Sequence, residues 1–241
     1  MAITGNLHAV LTGDLVSSSR LTSNQSQQAM ELLRTSATLF ERCFPGTVVG
    51  HMDTFRHDSW QLLLNKPEQA FRVALFLRST LKMESDALTK FDTRISIGIG
   101  TVEYIATERI SDSRGSAFTI SGRGVDSMKG SSLAFSIDTE EAEPWRDMIR
   151  AVIPLLDCIA TDWTPTESRA VNAALMGRTQ EESARHWASK KRSSPTRQAV
   201  GDSLIRAHWN TVHSVLLQAE QKVLNKYNSD KKHILEFAFT K

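Results

Sequence analysis

The sequence of 241 residues predicts an α+β fold, in which a mostly antiparallel sheet with helices on one face is followed by an all-α C-terminal part. Three observations predict it. Phe91–Val102 alternates isoleucine with serine and glycine, the period-two pattern of a half-buried strand. Gln28–Phe44 and the segment that Pro67 opens instead carry apolar residues at helical spacing. From Glu140 onward no strand pattern recurs until the last residues.

Eight elements are predicted up to residue 138. In chain order they are a strand within Ala9–Ser19, a helix over Gln28–Phe44, strands over Thr47–Met52 and Asp58–Leu64, a helix that Pro67 opens, a strand over Phe91–Val102, a helix over Ser116–Lys129 and a strand over Leu133–Ile137. Proline in a first helical turn and Pro45-Gly46 after a helix are ordinary start and stop signals. The first six elements have the βαββαβ order of a ferredoxin-like palm.

The C-terminal part is predicted to be helical from Pro144, with one candidate strand at its end. Pro154 is expected to kink or split the first of its helices. The predicted elements are helices over Pro144–Ala160, from Thr164-Pro165 to Met176, over Thr179–Ala188 and from Ser194-Pro195 through Leu216, and a closing strand over His233–Phe239. We therefore expect a palm domain (residues 1–138), a connecting helix (139–162) and an all-α domain (163–241).

Charge and cysteine content narrow the class of protein. Residues 163–241 carry 13 Lys and Arg against 7 Asp and Glu, whereas residues 1–162 carry 16 against 20, which favours a nucleic-acid partner for the C-terminal part. Cys43 and Cys158 lack metal or disulfide spacing, which favours a reducing compartment. No apolar run approaches the ~20 residues of a membrane span, and no secretory signal pattern opens the chain. We expect a cytoplasmic protein without a membrane partner.

Asp14 and Asp58 are the candidate metal ligands of the palm. Asp14 lies at the end of the first predicted strand, and Asp58 lies at the start of the third. Two carboxylates at strand ends suit Mg²⁺, which prefers one or two carboxylates together with water and substrate phosphates. The alternative is that Asp14 caps a turn and that Asp58 is a solvated strand end.

Four segments of the palm resemble those of class III nucleotide cyclases and occur in the same order. Gly13–Ser18 (GDLVSS) resembles the first metal segment, and His57–Trp60 (HDSW) resembles the Gly-Asp-Gly-Phe hairpin. Arg94–Gly100 (RISIGIG) is similar to the Arg-Ile-Gly-Ile strand. Gly115–Asp126 is similar to the Gly-x-x-Val-Asn-x-Ala-Ala-Arg-Leu helix. The resemblance covers most of residues 7–138.

The resemblance implies a nucleoside triphosphate as substrate or ligand. Asp14 and Asp58 would bind Mg²⁺ or Mn²⁺, and Arg123 would stabilise charge on the transferring phosphate. Asp112 falls where some adenylyl cyclases place a base-recognising aspartate. Class III cyclases build each site across a dimer, so a homodimer is implied as well. An active palm would be a nucleotidyl cyclase, a phosphorus–oxygen lyase.

Three residues depart from the cyclase pattern. Thr119 stands where cyclases have an asparagine that orients the ribose, and Thr54 stands where adenylyl cyclases have a purine-reading lysine. His57 replaces the hairpin glycine, at a position that needs φ > 0. His57 is either a turn residue or a contact to the phosphates. Thr119 and His57 remain candidate nucleotide contacts, while base choice and turnover are left open by these departures.

Trp163–Trp209 resembles a sigma-factor-like helix-turn-helix. Ala184 would be the small residue where two helices touch, and Val200 would lie early in the recognition helix, whose N-terminal residues enter the major groove in such units. The turn around 188–193 is longer than usual. The residues implied to contact DNA are Thr196, Arg197 and Gln198 for base edges and Lys190, Lys191 and Arg192 for phosphates. The alternative is an all-helical packing or dimerisation domain whose basic turn is solvated.

Both halves together resemble the SatD-like bacterial family, a cyclase-like palm followed by a helix-turn-helix. The leading hypothesis is a regulator that binds a nucleoside triphosphate with Mg²⁺ through the palm and double-stranded DNA through its C-terminal domain, with cyclic nucleotide formation left open. One rival is a dedicated nucleotidyl cyclase whose C-terminal helices dimerise or regulate. The other is a catalytically dead palm that acts as an interaction module.

Overall fold

The computed structural model describes residues 7–138, 144–187 and 194–238, with residues 144–145 and 226–238 described by their backbone alone. The strands are β1 Leu7–Leu15, β2 Val48–Phe55, β3 Ser59–Leu64, β4 Thr93–Thr101 and β5 Leu133–Ile137. The helices are α1 Ser23–Cys43, α2 Ala70–Met83, α3 Ser116–Ser127, α4 Pro144–Asp162, α5 Pro165–Leu175, α6 Gln180–Arg185, α7 Arg197–Arg206 and α8 Trp209–Ala238. Among these described helices, none combines the length and apolar character that crossing a membrane requires.

β1 lies at the centre of a five-stranded sheet of order β2-β3-β1-β4-β5. It pairs antiparallel with β3 and β4, and β2 pairs antiparallel with β3, while β4 and β5 run parallel. Residues 9–11 of β1 are fully buried, because neighbouring strands and helices enclose the central strand. The predicted order of the eight elements up to residue 138 and the mostly antiparallel sheet are confirmed.

Helices pack on both faces of the sheet, so the prediction of helices on one face is wrong. Ala9 and Leu11 of β1 belong to the core that α1 and α2 cover, whereas Val10 packs with Ala117 of α3. The small residues of β4 make room for α3: a Cβ added at Gly98 would lie 2.5 Å from the carbonyl oxygen of Ala117. The face of β4 opposite its isoleucines is therefore a docking face for a helix.

Two predictions for the C-terminal helices are wrong, and of the two effects expected at Pro154 the split does not occur, since α4 runs through this exposed proline. The fourth predicted helix is two helices, because the chain turns at His208 (φ 53°) between α7 and α8. Residues 233–238 are helical and not a strand, and Phe239 lies outside the described residues. A short apolar run of this kind cannot be assigned to strand or helix by periodicity alone.

One hydrophobic core connects the palm to the C-terminal helices. Phe71 of α2 belongs to the same buried cluster as Leu156 of α4 and Leu216 of α8. The indole Nε1 of Trp163, between α4 and α5, donates a hydrogen bond to the carbonyl of Ala207 at 3.0 Å. The C-terminal helices are therefore fixed against the palm by shared apolar packing.

Arg78 of α2 is a fully buried cation that joins three parts of the chain. Its Nε and Nη2 donate to the two oxygens of Asp92, just before β4, at 3.0 and 2.8 Å, and its Nη1 donates to Asp157 of α4 at 2.7 Å. Asp157 also accepts the backbone N–H of Ser132 at 2.7 Å. Burial lowers the pKa of Arg78, but the two carboxylates more than offset this and hold it above its ordinary value. The network fixes α2 and α4 against the starts of β4 and β5.

Glu41 holds the turn between α1 and β2. Its carboxylate accepts the backbone N–H groups of Gly46, Thr47 and Val48 at 2.7, 2.9 and 2.6 Å. Although burial raises the pKa of Glu41, these three bonds hold it below its ordinary value of 4.5. The ionised carboxylate is therefore the form that the turn stabilises.

We expect Glu41→Gln to lower the free energy of unfolding by about 1–2 kcal/mol near pH 7, because an amide oxygen accepts these bonds more weakly than a carboxylate does. The folded pKa is depressed, so this stability is present above the unfolded pKa and is lost as the pH falls through the folded one. Urea unfolding of both proteins near pH 7 and near pH 3 checks the prediction. An equal difference between the two proteins at both pH values would contradict it.

Candidate functional site

Asp14 forms a two-bond ion pair with Arg94, its partner across the β1–β4 ladder. Arg94 Nε donates to Asp14 Oδ1 at 2.7 Å, and Arg94 Nη2 donates to Asp14 Oδ2. The side chain of Asp14 is 18% exposed and that of Arg94 is 34% exposed, so the pair is partly open to solvent. Asp14 is therefore held by an arginine of the neighbouring strand.

Asp58 lies beside the end of β1. Its carbonyl accepts the backbone N–H of Leu15 at 2.9 Å. Its carboxylate accepts the hydroxyls of Ser18 at 2.8 Å and Ser59 at 3.2 Å. Because Ser59 is the ladder partner of Asp14, the structure places both predicted metal ligands at the same end of β1 and β3.

Arg94 is the cation among three nearby carboxylates. The hydrogen bonds to Asp14 raise the pKa of Arg94, burial opposes them, and the charges of Asp14, Asp58 and Asp126 of α3 raise it further. Sequence reasoning found the two aspartates but missed Arg94 as their partner and Asp126 as a third charge. An available signal was the antiparallel pairing of the first and fourth strands, which sets the start of one against the end of the other.

The two aspartates do not fit a cation as they are arranged here. Both oxygens of Asp14 accept from Arg94, and both oxygens of Asp58 accept hydroxyl donors. Across residues 7–138, 144–187 and 194–238, no group of three or more His, Cys, Asp or Glu side chains is placed to hold a metal ion. Carboxylate oxygens suit Mg²⁺ and Mn²⁺, but a cation would compete with the guanidinium that already neutralises Asp14.

Thr119 and Arg123 lie one turn apart on α3 and line one open cleft, together with Gly115 and Asp138. The Thr119 hydroxyl donates to the carbonyl of Gly115 at 3.3 Å. Arg123 is exposed and forms no ion pair within the described part of the chain. The cleft thus presents an exposed cation and a hydroxyl, which are groups that can bind an anionic ligand, and the carboxylates of Glu103 and Asp138 line it as well.

His57 lies in a different place, at the tip of the β2–β3 hairpin. Arg56 and His57 both have left-handed backbone conformations (φ 54° and 66°), which confirms the predicted need for a positive φ. His57 lines a cleft with Thr54 and with Arg34 of α1, and the lining of this cleft shares no residue with that of Arg123. Arg34 Nη2 donates to the Thr54 hydroxyl at 2.7 Å. Within one chain, His57 and Arg123 therefore face separate clefts.

Asp112 ends a short 3₁₀ turn, Ile110–Asp112. The turn is held to β2 because the backbone N–H of Ser111 donates to the carboxylate of Asp53 at 3.2 Å, and the Ser111 hydroxyl donates to the same oxygen. Burial raises the pKa of Asp53, but the bonds from Ser111 and the charge of Arg109 hold it below its ordinary value. The backbone that carries Asp112 is thus anchored to the sheet.

Helices α5, α6 and α7 form a three-helix unit with a small core of its own. Ala170, Ala184 and Val200, one residue from each helix, share this core. Ala184 and Val200 are the two residues that the helix-turn-helix resemblance placed at the helix contact and in the recognition helix. The unit is joined to the rest of the chain through α5, which packs on α2.

The start of α7 is open to solvent. Thr196 is the N-cap, and its side chain accepts the backbone N–H of Ala199 at 3.1 Å. Arg197 and Gln198 follow it and are exposed. The three residues predicted to contact DNA phosphates, Lys190, Lys191 and Arg192, lie outside the described residues.

Comparison with solved structures finds two nucleotide cyclases among the similar proteins. The guanylyl cyclase Cya2 is 16% identical over 56% of this chain and 77% of its own, with a TM-score of 0.42. A bacterial light-regulated adenylyl cyclase is 16% identical over 54% of this chain, with a TM-score of 0.40, and the match spans 43% of that longer protein. No family model matches the chain, and no curated protein matches it. At this identity and TM-score, the two similarities establish neither the family nor the activity of the chain.

Proposed function

We propose that the chain is a nucleotide-responsive DNA-binding regulator, in which the three-helix unit binds double-stranded DNA and the palm binds a nucleoside triphosphate. The small core shared by Ala170, Ala184 and Val200 carries the DNA-binding half of the proposal. It supports a unit of three short helices whose third helix presents Arg197 and Gln198 to solvent. Arginine and glutamine are side chains that form two-bond contacts to base edges in the major groove.

The palm half of the proposal has two supports. Asp14 and Asp58 lie at one end of the sheet, around Arg94, and Thr119 and Arg123 line an open cleft on α3. We propose that the cleft of Arg123 takes the triphosphate, whose negative charge an unpaired guanidinium favours. The proposed cofactor, Mg²⁺ or Mn²⁺, would bind Asp14 and Asp58 only where it displaces Arg94 from Asp14. A homodimer is proposed because Arg123 and His57 face separate clefts in one chain.

We expect the protein to retard double-stranded DNA, with an affinity that falls as salt rises, because phosphate contacts release counterions. Arg197→Ala should cost about 1–3 kcal/mol of binding free energy, the size of a lost contact to a base edge. Lys190→Ala with Lys191→Ala should flatten the slope of log affinity against log salt by about two. Fluorescence anisotropy with duplexes enriched from a random-sequence pool measures both quantities.

Arg42→Ala is the matched control, since it removes an equal charge from the exposed end of α1, in the palm. It should leave affinity and salt slope unchanged. An equal loss of DNA affinity in the Arg42 and Arg197 variants would mean that DNA binding depends on net charge alone. Absence of any retarded duplex would remove the regulator proposal.

The cyclase rival is tested by incubation with each of the four triphosphates and Mg²⁺ or Mn²⁺. A cyclic product made by the wild type and lost in Asp58→Ala would assign an activity to the palm. Nucleotide binding without product would support a sensor. Absence of both binding and product would favour the rival in which the palm is an interaction module.

A further inference from the structure

A large open cleft lies between the three-helix unit and the start of α8. The turn before α6, one side of α7 and the first turn of α8 supply its walls, and Arg72 of α2 also contributes. The lining of the cleft includes Arg178, Gln180, Arg197, Gly201, Trp209 and His213. It is separate from the clefts of Arg123 and His57, with which it shares no lining residue.

The cleft contains cations that no carboxylate neutralises. Arg178 and Arg197 form no ion pair within the described part of the chain. Their neighbours are different, because Arg72 is paired with Glu220 at 2.7 Å, Arg185 with Glu181, and Arg206 with Glu167 at 3.2 Å. Asp202 is the one acidic residue in the lining, against three arginines. The local charge therefore favours an anion.

One wall of the cleft is aromatic. The rings of Trp209 and His213, one turn apart on α8, are stacked with centroids 5.1 Å apart and an interplanar angle of 15°. His208 precedes them with φ 53°, a conformation in which the chain turns sharply from α7 into α8. A flat aromatic wall next to cationic side chains is suited to a planar ring that carries a negative group.

The opposite wall depends on a glycine. A Cβ at Gly201 of α7 would lie 3.1 Å from Oε1 of Gln180, so α6 and α7 approach closely where this residue lacks a side chain. Glycine inside a helix costs about 1 kcal/mol relative to alanine. The side-chain amide of Gln180 occupies the space beside Gly201 and so forms part of this wall.

We infer that this cleft binds a small molecule composed of a planar aromatic ring and one carboxylate or phosphate group. The anionic group lies between Arg178 and Arg197, and the ring lies against Trp209 and His213. If the proposed function holds, this ligand is also an effector, because Arg197 cannot contact its anionic group and a DNA base at the same time. Binding of the ligand then weakens binding of DNA.

Isothermal titration of the full-length protein tests the site with two probes, 1-naphthoate and adenosine 5′-monophosphate, which distinguish a carboxylate from a phosphate source. We expect at least one to bind with a Kd at or below about 1 mM, and Arg178→Ala or Arg197→Ala to weaken it about tenfold or more. Adenosine, which lacks the charge, and inorganic phosphate, which lacks the ring, should bind at least about tenfold more weakly. Arg185→Ala removes an equal but paired charge from α6 and should leave the Kd of each probe unchanged.

Saturable binding of either probe with that dependence on Arg178 and Arg197 supports the site, whatever the outcome with DNA. Failure of both probes to bind overturns it, as does binding that survives loss of both arginines or that inorganic phosphate reproduces. Arg123→Ala serves as the control for the palm, since a probe held in the palm cleft would lose affinity in this variant. A protein that binds the probe but no DNA would refute the proposed function and leave the cleft assignment standing.

Discussion

Replacement of Arg94 with methionine is expected to tighten the binding of Mn²⁺ by about tenfold or more, because it removes the cation that now neutralises Asp14. Methionine keeps the aliphatic length of the side chain and cannot donate a hydrogen bond. Asp14 and Asp58 would then lie at one end of the sheet, with Asp126 near them and no arginine among them. The Kd for Mn²⁺, from electron paramagnetic resonance of the free ion, measures the effect in both proteins.

Two further variants make this experiment decisive. Arg34→Met removes an arginine from the separate cleft of His57 and should leave the affinity for Mn²⁺ unchanged. The double variant with Arg94→Met and Asp58→Asn should not show the tighter binding of Mn²⁺, because one of the two predicted ligands is then neutral. An Arg94→Met protein that folds, as judged by circular dichroism, and binds Mn²⁺ no more tightly than the wild type would contradict the predicted metal site.

Arg78→Met is expected to lower the free energy of unfolding by about 3–5 kcal/mol, the cost of breaking a buried ion pair by removal of one partner. The variant leaves Asp92 and Asp157 without the guanidinium that satisfies three of their oxygens. Part of this loss should return when Asp92→Asn and Asp157→Asn are added, because neutral amides are less costly to leave unpaired. Urea unfolding of the three proteins measures the changes.

Arg185→Met provides the comparison on the surface. Arg185 and Glu181 form an exposed pair four residues apart on α6, and such pairs contribute about 0.3–0.5 kcal/mol. We expect a tenfold difference in equilibrium constant or more between the Arg78 and Arg185 variants. An equal loss of unfolding free energy in the two variants would show that the buried network does not hold α2, α4 and the strands together.

The helix starts of the C-terminal half could be predicted because their signals are local. Thr164 with Glu167 and Thr179 with Glu182 form capping boxes in the structure, at the residues where the sequence predicts helices to begin. The break at His208 could not be predicted, because a left-handed histidine has no compositional signal of the kind that glycine provides. Apolar spacing continued across it and suggested one long helix.

The sheet was predictable and the packing of its second face was not. Alternation of isoleucine with glycine in β4 indicates a strand with one buried face, and it does not say whether the small residues meet water or a helix. Gly98 meets α3, whose sequence does not indicate which face of the sheet the helix covers. Contacts between residues far apart in the chain determine that a helix covers this face of β4. A single sequence contains little information on such contacts.

The candidate site shows the same division. Asp14 and Asp58 were found because each stands at a strand end, next to a recognisable pattern. Arg94, their partner, was missed because its role depends on which strand lies beside β1. The start of the recognition helix was found from Thr196 and the residues after it, whereas the cleft between α7 and α8 depends on the unpredicted turn at His208.

The proposed function requires that the affinity of the protein for DNA depend on a nucleotide. The most direct test is the anisotropy titration of an enriched duplex with the wild-type protein, with and without a mixture of the four nucleoside triphosphates and Mg²⁺. We expect a saturable, salt-dependent complex whose Kd shifts at least about fivefold with the nucleotides, the size of a modest coupling free energy between two sites. We also expect Arg123→Ala to abolish the shift and leave DNA binding intact. A complex with the same Kd in both conditions, or no complex at all, would contradict it.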